Sequence, residues 1–152
     1  MIPVHTKITE AETLDFPGVI TFKVLLSGDQ TGGTHAVFED IVQPGQGPGR
    51  HIHKDQDETF LFEEGSFDVE IGGTRHHMKP GDVGFVPRGT VHAFKNTGKE
   101  PGRLRYVMSP AGCFEAIVKA LYALSDGGQP TAEDMAAVAL ALGQEFVGPP
   151  LE

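Results

Sequence analysis

Short runs in which apolar and polar positions alternate fill most of the chain as far as residue 109, separated by clusters of glycine and proline; beyond residue 113 apolar positions recur every three to four residues. The first pattern belongs to strands, whose side chains alternate between two faces, and the second to one face of a helix. Residues 1–16 are mixed in character and read as an irregular arm, with Pro17-Gly18 opening a first strand over 18–26. A turn over 27–33 leads to a second strand over 34–42, in which Ala36, Phe38 and Asp40 share one face and His35, Val37, Glu39 and Ile41 the other. Neither face is cleanly apolar, as expected where the outer face is partly covered by an appendage or a second subunit. Further strands are predicted over 66–71, 74–79, 83–86, 91–95 and 103–109, with Gly72-Gly73 as a two-residue hairpin turn and Pro87-Arg88-Gly89 as a sharp turn. Eight or more short strands with no helix among them predict an all-β barrel.

The helical period begins after Cys113. Phe114, Ile117, Val118, Leu121 and Leu124 lie on one face of a first helix, which Ser125-Asp126-Gly127-Gly128 stops. Thr131 and Asp134 are spaced like a capping box at the start of a second, whose apolar positions Met135, Val138, Leu142 and Phe146 run to a stop at Gly148-Pro149-Pro150. The expected organisation is a barrel with its N-terminal arm over 1–112 and a two-helix extension over 113–152 packing on it. No residue of the extension is assigned chemistry, and Cys113 and Tyr122 are read as buried.

Composition narrows the class. With 152 residues the chain is long enough for one domain with a core. Its net charge of -9 and lack of a long basic cluster exclude tracking a nucleic-acid backbone. One cysteine forms no internal disulfide, and no apolar run approaches the roughly 20 residues of a membrane span. The expectation is a cytoplasmic protein with no membrane and no nucleic-acid partner.

The candidate chemistry sits in His51-Ile52-His53-Lys54-Asp55-Gln56-Asp57-Glu58. Histidines one residue apart face the same way only in an extended chain, and the polar stretch 54–57 allows a turn that returns Glu58 to the same spot. Two imidazoles and a carboxylate suit a divalent transition metal, although a solvated strand face carries the same pair of histidines. His92, with Phe94 and Asn96 on the same face of the last strand but one, offers a third imidazole. Pro44-Gly45-Gln46-Gly47-Pro48-Gly49 lacks the Lys-Ser/Thr of a phosphate-binding loop and reads as a plain turn.

With these residues in place the sequence resembles the cupins. Gly45, His51, His53, Glu58 and Gly65 match the first cupin motif, and Gly81, Pro87, Gly89, His92 and Asn96 the second, with 15 residues between the motifs as in compact single-domain bacterial members. The resemblance implies a cupin-type double-stranded β-helix, a jelly-roll barrel, carrying a C-terminal two-helix extension. It also implies one divalent metal ion (iron, manganese, nickel, copper, cobalt or zinc) held by His51, His53, Glu58 and His92. Ser109-Pro110-Ala111-Gly112-Cys113-Phe114-Glu115 is similar to a segment of cupins related to quercetin dioxygenases.

The expected function is that of a metal-dependent oxygenase acting on a small aromatic or enolisable substrate, with Glu58 as ligand or general base and Phe60, Phe62 and Phe94 as an apolar pocket wall. A redox-neutral isomerase, cyclase, decarboxylase or hydrolase on the same ion is the alternative, and a non-enzymatic small-molecule-binding module a third. A homodimer is expected, with strands 18–26 and 34–42 covered by the second subunit.

Overall fold

The computed structural model describes residues 1–152. Two antiparallel sheets face each other. The six-stranded sheet runs in the order β1-β2-β3-β10-β5-β8 and the five-stranded sheet in the order β11-β4-β9-β6-β7. The strands are β1 (Glu12–Phe16), β2 (Ile20–Leu26), β3 (Ala36–Val42), β4 (Gly49–His53), β5 (Asp57–Glu64), β6 (Phe67–Ile71), β7 (Thr74–Met78), β8 (Val83–Val86), β9 (His92–Asn96), β10 (Gly102–Ser109) and β11 (Gln144–Pro150). Between β10 and β11 come α1 (Phe114–Ser125) and α2 (Ala132–Ala141). Neighbours in each sheet are mostly distant in sequence, which is the winding of a double-stranded β-helix.

The inward positions of both sheets build one core. Phe38 is fully buried at its centre, with ring centroids 5.0 Å from Phe22, 5.5 Å from Tyr106 and 5.3 Å from Phe114. Phe114 comes from α1, so the first helix is packed into the same core. Gly72 and Gly73 both have positive φ and turn β6 into β7, as the two-residue hairpin requires.

The structure departs from the sequence reading in four places. Residues 12–16 of the supposed arm are β1, paired to β2 across Pro17-Gly18. α2 ends at Ala141, because Gly143 takes φ 90° and the backbone leaves the helix there; Gln144–Pro150 is a strand on the edge of β4, so the end of the extension belongs to the barrel wall. Cys113 is exposed at the start of α1, and Tyr122 is 38% exposed. The mixed faces of β2 and β3 also have an internal cause. Glu39 is buried on the outer side by Arg105, whose Nε donates to its Oε2 at 2.9 Å, and by Arg103. Val4 and Ile8 of the N-terminal segment border the same outer face beside Leu25, Leu26 and Val37.

Candidate metal centre

Strand alternation delivers the site. β4 turns His51 and His53 inward and Ile52 outward, and His51 lies directly opposite His92 of β9 in the same sheet. Glu58 comes from β5 in the facing sheet. The turn between β4 and β5 is pinned at both sides. The buried Gln56 donates Nε2–H to Ala111 O at 2.7 Å, and Asp57 receives Nε–H and Nη2–H of Arg88 at 3.1 and 3.0 Å, tying the first motif to the loop that precedes His92. The amide of Gly89 also donates to His53 O at 2.8 Å. Asn96 is fully buried and fixes chain rather than metal: its amide nitrogen donates to Val42 O and Glu100 O, and its oxygen accepts from Gly98 N–H.

His51, His53, Glu58 and His92 are all buried, and one ligand atom from each lies within 4.8 Å of the others. His51 donates Nδ1–H to Gly49 O at 2.8 Å, and His92 donates Nδ1–H to Thr90 O at 2.9 Å. Each bond fixes the tautomer that leaves Nε2 for the site. In the metal-free protein His92 Nε2–H also donates to Glu58 Oε2 at 2.9 Å, and His53 Nε2 stands 3.4 Å from the same oxygen. Neither ring nitrogen of His53 has a hydrogen-bond partner although both are buried. A buried imidazole left wholly unpaired is costly, and an ion beside its Nε2 removes that cost, so the donor set fits a divalent metal.

The electrostatics agree with a ligand set. Burial, then repulsion from His92 and His53, pushes His51 well below the ordinary imidazole range and keeps it neutral. Burial works to raise Glu58, but the imidazoles beside it, His53 at 3.4 Å and the hydrogen-bonded His92 at 2.9 Å, outweigh it and hold the carboxyl below its ordinary range, so it is ionised. Burial likewise works to lower His92, and the bond to Glu58 reverses this, raising it above the ordinary value.

His51, His53 and Glu58 open onto a cavity of about 260 Å³ between the sheets, whereas His92 lies behind them. Among the wall residues are Phe22 and Phe94 from the barrel, Phe114, Ile117, Val118 and Leu121 from α1, Met135 from α2, and Gln144 and Phe146 from β11. The tail therefore closes the mouth of the barrel, a role the sequence reading did not assign to it. Of the expected wall, Phe94 is present. Phe60 and Phe62 share its parity but not its depth: both are buried outside the lining, packed on each other at 5.9 Å and, through Phe62, on Phe67 at 5.3 Å. Sequence reasoning also missed Asp40, Tyr106 and Gln144, all in the lining. Asp40 was visible as an acid on an otherwise apolar strand face; Gln144 was hidden by the misread helix end. The Gln144 side-chain oxygen is buried without a partner, and Gln144 is the ladder neighbour of His53, whose Nδ1 is also unpaired.

A second group, outside the cavity, joins Ser66 Oγ to His77 Nε2 at 3.1 Å and His77 Nδ1 to Asp68 at 3.0 Å. It lies on the exposed β6–β7 hairpin.

Fold and site together define a class: a small two-sheet barrel with three histidines and a glutamate from facing sheets gathered where they could hold a metal ion. Residues 38–109, which hold all four clustered side chains, match the cupin domain family, Cupin_2. Protein SchB of Streptomyces halstedii is 29% identical over 89 residues, which cover 58% of this chain and 64% of SchB. Quercetin 2,3-dioxygenase of Bacillus subtilis (strain 168) is 29% identical over 89 residues, 56% of this chain and 25% of that protein. The chain thus spans less than two thirds of the length of either relative. The solved structure of the polyketide cyclase RemF from Streptomyces resistomycificus superposes with a TM-score of 0.57 at 23% identity, covering 72% of this chain and 79% of RemF. No helix is long and apolar enough to cross a membrane.

Proposed function

We propose that this protein is a cupin-type metal-dependent oxygenase acting on a small, uncharged aromatic or enolisable substrate. The observation that carries the reading is the lining of the cavity. It is mainly apolar and aromatic, and it contains no lysine or arginine. Apart from the ion itself, a phosphorylated sugar or a dicarboxylate finds no counter-charge there, whereas a flat apolar ring does find contact surface. The likeness to quercetin 2,3-dioxygenase supports the oxygenase over other metal chemistry.

A bound metal supplies Lewis acidity and, if redox-active, a route for electrons to dioxygen. His51, His53, Glu58 and His92 hold it. Phe94, Phe114 and Phe146 face the substrate and keep water out. Glu58, ionised because His53 and His92 stand beside it, takes the proton of a substrate hydroxyl at a carboxylate oxygen. Metal-loaded protein is expected to consume oxygen in step with the loss of at least one flavonol, catechol or β-diketone, and protein loaded with redox-inert zinc is not. No uptake across that panel would sink the reading.

The same acid-base groups around an ion serve a redox-neutral isomerisation, cyclisation or decarboxylation, and the fold shared with RemF keeps this second reading in view. Turnover under strict anaerobiosis with zinc bound selects it. A homodimer belongs to the proposal as well. Its support has moved from β2 and β3 to the sheet edge at β5 and β8, where Leu61 and Val83 pair across the strands beside Phe85, each between 38% and 58% exposed. Sedimentation is expected to show a dimer that Phe85→Lys dissociates.

A further inference from the structure

We propose that Asp40 and Tyr106 form a second recognition point in the cavity, one that binds a hydroxyl group on the ring of the substrate. The inference rests on the proposed function and adds to it the pattern of oxygens the substrate carries. Asp40 projects inward from β3 and Tyr106 from β10, and each is almost fully buried, at 4% and 2% exposure. Tyr106 donates its phenolic hydrogen to Asp40 Oδ1 at 3.2 Å. Asp40 Oδ2 has no hydrogen-bond partner, and no arginine or lysine faces the pair.

A carboxyl buried beside Phe22 of the neighbouring strand and Phe38 of its own, with one hydrogen bond and no arginine or lysine at hand, costs stability, and an apolar side chain would fill that place at lower cost. Both residues line the cavity onto which His51, His53 and Glu58 open, so the free oxygen of Asp40 is offered to whatever occupies it. A hydroxyl suits that oxygen whether or not Asp40 carries a proton, because a carboxyl group accepts a hydrogen bond in either state. Burial raises both Asp40 and Tyr106 well above their ordinary values, in keeping with an uncharged pair that tolerates an uncharged ligand.

β3 lies in the sheet opposite β4 and β9. A substrate with one oxygen at the metal-binding histidines and a hydroxyl at Asp40 therefore spans the cavity between the sheets. The ligand class is an apolar aromatic with two separated oxygen functions.

The test is equilibrium binding, without turnover, to zinc-loaded full-length protein. The probes are the parent flavonol, whose only hydroxyl adjoins its carbonyl, and flavonols with one further ring hydroxyl. At least one hydroxylated flavonol is expected to bind wild type roughly ten-fold or more tightly than the parent, since a site built for a hydroxyl rejects an analogue lacking it. Asp40→Leu combined with Tyr106→Phe is expected to bring the ratio of the two affinities close to one, and Asp40→Asn, which keeps an acceptor, to retain most of the preference. If thermal unfolding shows that the double variant does not fold, Tyr106→Phe alone decides, with the preference expected to fall roughly three-fold. Equal binding of parent and derivatives by wild type, or a preference that survives these substitutions, overturns the inference while leaving the proposed function intact. No binding by any flavonol overturns the inference, and the proposed function then rests on the catechols and β-diketones of the oxygen-uptake panel.

Discussion

His92 has a hydrogen-bond acceptor at each ring nitrogen, Thr90 O at Nδ1 and Glu58 at Nε2, so the ring carries both protons when no metal is bound. The bond to Glu58 raises its pKa above the ordinary value, which favours that form. A metal taking Nε2 must displace one proton. Titration calorimetry in buffers of different ionisation enthalpy at neutral pH is expected to show about one proton released per ion; no release would contradict the arrangement. His51 works in the opposite sense. Its depressed pKa means the unfolded chain binds a proton before the folded one does, so its contribution to stability is present above about 6.5 and is lost as pH falls toward the depressed value. His92, with its raised pKa, contributes fully below the ordinary histidine range and loses that contribution as pH rises through the raised value. The two are separated by substitution: metal-free His51→Asn is expected to lose less stability than wild type between pH 7 and pH 5 in chemical denaturation. An equal loss would show that His51 is not held neutral.

At the scale of elements, the loop before β4 and the strand after α2 are where pattern reading and structure part. The stretch 44–49 reads as a plain turn, yet Gly47 lies so close to β9 that a Cβ there would meet Phe94 O at 1.8 Å. Gly47→Ala is expected to destabilise by about 1–3 kcal/mol or more and to loosen β9 beneath His92, measured as a lower midpoint of unfolding together with weaker metal binding. β11 escaped notice because Leu142 and Phe146 continue the helical spacing of Met135 and Val138, while the glycine that ends α2 is a single residue within an apolar run. Placed as a strand, Gln144 stands opposite His53, and its unpaired oxygen is the acceptor nearest in register to the unpaired Nδ1. Gln144→Leu is expected to weaken metal binding roughly ten-fold by chelator competition without lowering the unfolding midpoint of the metal-free protein; unchanged metal affinity would remove Gln144 from the support of the site.

For the molecule as a whole, the parts that were legible depend on period and spacing. Alternation gave nine of the eleven strands, leaving β1 within the arm and β11 within a helix. Ten motif positions pointed to the four side chains that the fold gathers into one buried cluster. What was not legible depends on depth. Parity places Phe60, Phe62 and Phe94 on one side of their strands, and only the curvature of the closed sheets decides that Phe94 alone of the three reaches the cavity. For the same reason Asp40 read as a blemish in an apolar face until Tyr106 was found beside it. The aromatic core joins barrel and extension through Phe38 and Phe114, and Phe38→Ala is expected to cost about 3–5 kcal/mol in chemical denaturation. All of this positions one candidate metal site between two sheets. Elemental analysis of protein purified without an affinity tag tests that most directly. The account predicts about one divalent transition metal ion per chain, lost in His53→Ala and in Glu58→Ala; no ion in wild type, or an ion retained in both variants, would contradict it.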